Sequence, residues 1–336
     1  MDAMRFGIMS FCTAPYEDLV RRFRSAEDLG FASAWVDDDI LTPAYADFEP
    51  WTLLAALARE TTHLRLGTLV TVPTFRHPAF LAAQVVTLDH VSSGRAQLGF
   101  GAGGPPNNYG AVGHHDWPPR ERAEHLEEQA AILDPLLGGE PVTHQGRHYR
   151  VWEAQVSLPV QRPRPPFLVA AHGDRGLRVV ARHADGWNSL GGQPYPGAQD
   201  PSQRIPLADA VANTKRLSER LDGFCQDIGR DPATVRRTVL AYRPIVDPLS
   251  SLDAFDEYVG RYREIGIDEV IFYWPPLDNL LVRGANGRPA FEEARSISPE
   301  QQAAFKRIAM ERIARGLGSA ALDDVSQRVA TGPQGR

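Results

Sequence analysis

The chain has 336 residues, 43% of them hydrophobic, which suffices for a real core in one large domain or two ordinary ones. Its formal net charge of −6 gives no electrostatic reason to expect nucleic acid or an anionic membrane as a partner. Two isolated cysteines, Cys12 and Cys225, have neither metal-ligand spacing nor a disulfide framework, and there is no secretory leader or apolar run of membrane-spanning length. The expected setting is therefore a reducing cytoplasm.

Short apolar runs alternate with helical patterns along the chain. Residues 4–10 (MRFGIMS) read as a buried strand. Leu19, Val20, Phe23, Ala26 and Leu29 then recur at helical spacing, with Pro15 near the start and Gly30 at the stop. Residues 33–36 (SAWV) form the second strand, 51–61 a compact apolar helix, and 65–72 (RLGTLVTV) the third strand. A helix over 78–91, closed by an SSG turn, leads to the fourth strand at 95–101, and 121–137 is amphipathic. Residues 167–171, 186–190, 237–242 and 269–274 complete eight strands.

This alternation implies a parallel sheet. Eight units in this length, with nothing marking two halves, imply a closed (β/α)8 TIM barrel of the α/β class rather than an open doubly wound sheet. Two stretches depart from the repeat. Residues 138–166 predict a small hairpin before the fifth strand, and 191–206 a long loop after the sixth, long enough for an active-site flap. The expected organisation is a single domain over 1–322 and a disordered polar tail over 323–336.

GFGAGG, residues 99–104, satisfies G-x-G-x-x-G at Gly99, Gly101 and Gly104, but PPNNYG follows and cannot start the helix that a dinucleotide fingerprint needs. A glycine-rich strand end that lets backbone N–H groups approach a ligand is the better reading. Behind the second strand, AWVDDDIL sets three aspartates in a row. Adjacent residues on an extended chain face opposite ways, so Asp37 and Asp39, or Asp38 alone, can face a barrel mouth. No His-x-His or Glu-x-x-His stands beside them, so no metal ligands are assigned, although a metal-dependent hydrolase using Asp37 to Asp39 remains a rival. His114 and His115 read as surface residues of a loop. Nucleophilic hydrolysis has little support: G-x-S-x-G is missing, and Cys12 has no obvious histidine partner.

Residues 66–103 carry LGTLVTVPTFRHP, TLDHVSSGR and QLGFGAGG in succession. AEDLGFASAWV precedes them, RERAEHLEEQAAIL, PPFLVAAHG and ARHADGW follow in order, and GIDEVIFYW comes near the end. Together these stretches resemble the luciferase-like family of flavin-dependent oxidoreductases. The resemblance implies a flavin-type cofactor at the carboxyl ends of the strands, with its ring against a bulge at Thr68, Leu69 and Val70 and a non-prolyl cis peptide at Leu69–Val70. It implies a phosphate cradle at Gly101, Ala102, Gly103 and Asn107, completed by Ala171, His172 and Gly173 and by Ser189, Leu190 and Gly191.

The same alignment sets Asp38 on an acidic residue of the family and Asp39 where many relatives have histidine. Gly104 stands where alcohol-oxidising deazaflavin relatives often have glutamate. The catalytic candidates are Asp39 and Asp38, with Asp39 either relaying a proton itself or lying in a solvated loop. PTFRHP resembles the deazaflavin users, and the arginine-rich, GC-type composition points the same way. The implied function is hydride transfer between coenzyme F420 and a small organic substrate, reduction of an enone or imine fitting better than alcohol oxidation. The alternatives are an FMN-dependent monooxygenase using reduced flavin and O2, and a non-catalytic flavin-binding relative. Trp51, Tyr109, Trp117, Tyr195 and Trp274 are candidates for an apolar substrate pocket, and the resemblance implies a homodimer.

Overall fold

Nearly every residue of eight short strands is buried, so each strand must pack on both faces, and a sheet wrapped on itself inside a layer of helices does this. The computed structural model describes residues 4–12, 15–38, 48–103, 109–194, 204–275 and 298–314. Strands β1 (Arg5–Ser10), β2 (Ser33–Val36), β3 (Arg65–Thr68), β4 (Ala96–Gly101), β7 (Phe167–Ala170), β8 (Gly186–Ser189), β9 (Arg236–Leu240) and β10 (Glu269–Tyr273) close into one parallel barrel. Strands β5 (Val142–Gln145) and β6 (Arg150–Ala154) form the inserted antiparallel hairpin. Both the barrel and the hairpin match the sequence-based expectation. Residues 195–203 of the long loop and all of the 323–336 tail lie outside the described residues.

Eight α-helices are present among the described residues: α1 (Tyr16–Asp28), α2 (Pro50–Glu60), α3 (Pro78–Val91), α4 (Pro119–Leu137), α5 (Asp174–His183), α6 (Leu207–Asp227), α7 (Leu252–Glu264) and α8 (Pro299–Ile308). Four of them open on proline, where the missing N–H would have had no intrahelical partner. The TLDHVSSGR stretch works as a joint. Arg95 donates to the carbonyls of Ala58 (2.6 Å), Thr61 (3.0 Å) and Leu64 (2.8 Å), gathering the open carboxyl end of α2. Buried Asp89 accepts from the amides of Val160 (2.7 Å) and Gln161 (3.0 Å), tying the chain that leaves the hairpin to α3.

Strand parity sorts the side chains. Met9, Trp35, Leu69, Leu168, Leu240, Ile271 and Tyr273 form an apolar cluster of their own, which occupies the barrel interior. Their neighbours Ile8, Ala34, Val36, Val239 and Phe272 belong to the larger core beneath the helices. Toward the amino ends the interior turns polar. Ser33 Oγ donates to Glu269 Oε1 (2.5 Å), Trp35 Nε1 donates to Ser33 Oγ (2.8 Å), and Arg236 donates to Gln97 Oε1 (3.2 Å).

β3 ends at Thr68, four residues short of the sequence-based boundary, because its register with β4 breaks there. The pairs Gly67↔Gln97 and Thr71↔Phe100 enclose four steps on one chain (71 − 67) and three on the other (100 − 97). One extra residue is therefore bulged out between them. Pairing resumes beyond it, with Thr71 N–H donating to the Gly99 carbonyl (2.8 Å) and Gly101 N–H to the Thr71 carbonyl (3.2 Å). The Leu69–Val70 peptide inside the bulge is cis.

The bulge fits because β4 offers no side chain against it. A Cβ at Gly99 would overlap the Thr68 carbonyl oxygen, and one at Gly101 would lie 2.6 Å from Val70 Cγ2. Buried hydroxyls close its outer side: the Thr68 and Thr71 Oγ1 atoms are 2.8 Å apart, and Trp51 Nε1 donates to Thr71 Oγ1 (3.2 Å). Gly99→Ala should thus cost about 1–3 kcal/mol, the range of an overpacked core, and urea unfolding measures it. An unchanged midpoint would mean that β4 does not seat the bulge.

Candidate active site

The parity that fills the interior also decides which aspartate reaches it. Ser33 and Trp35 face the axis, so Asp37 continues that face and Asp38 turns outward. Asp37 is buried, accepts from the Cys12 amide (3.0 Å) and acts electrostatically on Tyr273. Asp38 is clamped in the outer layer. Its Oδ2 accepts from Arg76 Nη1 (2.5 Å) and the Val72 amide (3.1 Å), and its Oδ1 from Arg76 Nη2 (2.9 Å). Arg76 also donates to Glu49 (2.7 Å), and the Asp38 side chain is wholly buried. Asp38, read from sequence as a catalytic candidate, braces the segment that leaves the bulge. Asp39 and Asn107 lie outside the described residues, as does Tyr195.

The mouth of the barrel is apolar and aromatic. Phe11, Val70, Leu190 and Tyr242, all partly exposed, pack on the interior cluster that holds Leu69 and Tyr273. Tyr273 stacks on Phe11 (centroids 5.7 Å apart) and sits 6.5 Å from Tyr242. Burial pushes both phenols up, Tyr273 well above 10 with further pressure from Tyr242 and Asp37, so both stay protonated at neutral pH. Tyr273 and Trp274 also border a cavity of about 380 Å³ between the ends of β9 and β10 and the start of α8.

The remaining positions expected to hold a cofactor form a rim around this mouth. Gly101 is buried, Ala102 and Gly103 are half-buried, and Gly103 has a φ of +68°. Ala171 is buried and is followed by exposed His172 and Gly173, the latter at the N-cap of α5 with open space where a Cβ would project. Ser189 is fully buried, and its hydroxyl has no hydrogen-bond partner among the described residues. Gly191, at φ +61°, accepts from Tyr262 through its carbonyl (2.7 Å). A ring-and-phosphate cofactor fits this arrangement: a flat apolar seat at Leu69–Val70, a close backbone approach at Gly101–Gly103 and an unpaired buried hydroxyl at Ser189.

Comparison with known proteins bears on the same elements. Residues 4–251 match the model of the luciferase-like monooxygenase family. The chain belongs to that family. It is 29% identical over 260 residues to an F420-dependent hydroxymycolic acid dehydrogenase of Mycobacterium tuberculosis, covering 75% of this chain and 65% of that protein. It is 32% identical over 181 residues to an F420-dependent glucose-6-phosphate dehydrogenase of Amycolatopsis mediterranei, covering 52% and 54% respectively. Less than two thirds of either relative is thus matched. Among solved structures, the coenzyme F420-dependent tetrahydromethanopterin reductase of Methanopyrus kandleri superposes with a TM-score of 0.69 at 16% identity, over 93% of this chain and 99% of that one, a likeness of fold. No helix among the described residues is long and apolar enough to cross a membrane.

Within this family scaffold, the sequence left open whether Asp37 or Asp38 faces the mouth, and Phe11, Tyr242 and Tyr273 went unread as its aromatic wall. The signal was available, since Tyr273 keeps step with Ile271, whereas Trp274 is one residue out of phase. Trp274 stacks on Phe305 of α8 (3.7 Å, 10°). Trp51 sits in the helix layer, and Tyr109 packs with Trp117 and Val72 in a separate cluster.

The Asp38–Arg76 clamp has a definite pH signature. Burial lifts the Asp38 carboxyl to about 6, against the pull of Arg76 and the Val72 amide. A carboxyl raised on folding contributes stability that is complete below its unfolded value of 3.8 and is lost as pH rises through 6. Arg76→Met removes the opposing charge and lifts the folded value further. Its stability deficit should therefore widen between about pH 5 and about pH 8, reaching about 3–5 kcal/mol, the usual cost of a buried charge left unpaired. Urea titrations across that range test this, and a deficit independent of pH would contradict it.

Proposed function

We propose that this chain is an oxidoreductase that uses coenzyme F420 to reduce a polarised double bond, such as an enone or imine, in a small organic substrate. The observation that carries the reading is the apolar mouth built around the Leu69–Val70 bulge. It offers a flat ring one face to rest on and leaves the other open toward Phe11, Tyr242 and Tyr273. Two relatives named F420-dependent support the choice of cofactor. When bound, reduced F420 supplies a hydride; the protein supplies position, electrostatics and exclusion of water.

The chain's own groups account for the other half of such a reduction, delivery of a proton to the substrate heteroatom. Tyr273 and Tyr242 remain phenols because burial opposes their ionisation, so each can donate a hydrogen bond to a substrate oxygen or nitrogen. Asp37, buried behind Tyr273 and held by the Cys12 amide, favours the protonated phenol through its charge. The rim at Gly101–Gly103, Ala171–Gly173 and Ser189–Gly191 holds the phosphate-bearing tail, and Leu69, Val70 and Leu190 exclude water around the ring. A phenol in the acid's place suits reduction better than alcohol oxidation, which needs a base.

Titration of the full chain with F420 and with FMN, followed by absorbance, tests the cofactor. F420 should bind tightly and bleach reversibly on reduction. Tight binding of FMN alone, with O2 consumed by the reduced flavin, would make the chain a monooxygenase, and binding of neither would overturn the reading. With an acceptor in hand, Tyr273→Phe should leave F420 binding intact and slow reduction by about 10²–10⁴-fold, the usual weight of a general acid. Turnover unchanged in this variant and in Tyr242→Phe would remove the tyrosines from the chemistry.

A further inference from the structure

A second cluster of chemically capable side chains lies behind the mouth, where α4 meets the hairpin. Glu121 and His125 are four residues apart on α4 and share one helix face. His148 comes from the turn between β5 and β6. One ligand-type atom from each of the three lies within 4.8 Å of the others. His125 lies against His148 with centroids 4.0 Å apart and planes tilted by 34°, and it meets the edge of Trp117 at 5.2 Å.

The hydrogen bonding fixes which nitrogen is bare. Tyr149 donates its hydroxyl proton to the Pro73 carbonyl (3.2 Å), so its oxygen accepts from His125 Nδ1–H (2.9 Å). This leaves His125 Nε2 with a lone pair and no proton. His125 is only 8% exposed, and its Nε2 has no hydrogen-bond partner among the described residues. His148 Nε2 is buried without a hydrogen bond as well, Glu124 Oε2 standing 3.5 Å away. Glu124 is already engaged by Arg120, Arg147 and Arg175. Two imidazole nitrogens and a carboxylate, one imidazole oriented through its other nitrogen by a second hydrogen-bonding group, make a donor set for a borderline divalent metal.

We propose that Glu121, His125 and His148 bind a divalent transition metal ion of the zinc type, which pins the hairpin turn to α4. The pin bears indirectly on the mouth. Tyr149 and Gln129 both reach the Pro73 carbonyl, and Gln129 also holds that of Arg76, so the cluster backs the segment that leaves the bulge. The site is independent of the F420 reading.

Protein stripped with a chelator and titrated with Zn²⁺ and Co²⁺ gives the test, read by calorimetric stoichiometry, the visible Co²⁺ spectrum and thermal unfolding. One equivalent should bind, with a Co²⁺ band of nitrogen and oxygen ligation and a raised Tm. Glu121→Gln and His148→Ala should each weaken binding about tenfold or more, the lower bound being what loss of an outer-shell partner alone can cost. The double variant His114→Ala/His115→Ala should bind as the parent does. If His148→Ala fails to fold, Glu121→Gln, at a half-buried helix position, decides alone. No saturable binding at one equivalent, or binding equally tight in Glu121→Gln, would overturn the proposal.

Discussion

One surplus residue between β3 and β4 shapes everything at the carboxyl end of this barrel. A regular parallel pair would have run on to residue 72 and sealed the strand edge. The slip from Gly67↔Gln97 to Thr71↔Phe100 instead pushes Leu69 and Val70 out of register and into the mouth. Three further features depend on it. Gly99 and Gly101 have to lack side chains, the two threonine hydroxyls close over the gap, and the chain beyond must be held so that the bulge does not relax.

That holding is the work of charge. Asp38, turned outward by strand parity, fixes the Val72 amide and the Arg76 guanidinium, and Arg76 reaches on to Glu49 at the start of α2. From the other side Gln129 and Tyr149 take the carbonyls of the same segment. The exit from the bulge is thus gripped by β2, α4 and the hairpin together. A segment fixed from three directions yields less than a free loop would, whatever rests on it.

Much of this was legible in the sequence. The eight strands follow from short apolar runs alternating with 3.6-residue patterns, and the hairpin from a Pro- and Gly-rich interruption of that alternation. What sequence left open was parity at strand ends. Period 2 states that Asp37 and Asp38 face opposite ways, yet which one faces inward depends on Ser33 and Trp35 meeting Glu269 and the interior cluster, a contact made across 236 positions of chain. The same one-residue ambiguity hid the division of labour at the end of β10, where Tyr273 turns into the barrel interior and Trp274 stacks on Phe305 while both border the neighbouring cavity. The histidine cluster was hidden for a related reason. His125 and His148 belong to different elements, and only the docking of the hairpin on α4 brings their rings together.

The most direct measurement is a crystal structure of the chain soaked with F420, read for the position of the deazaflavin ring. One face of the ring should lie on the Leu69–Val70 peptide and the other toward Tyr273. A ring bound away from the bulge, with the mouth between Phe11 and Tyr242 still empty, would contradict it.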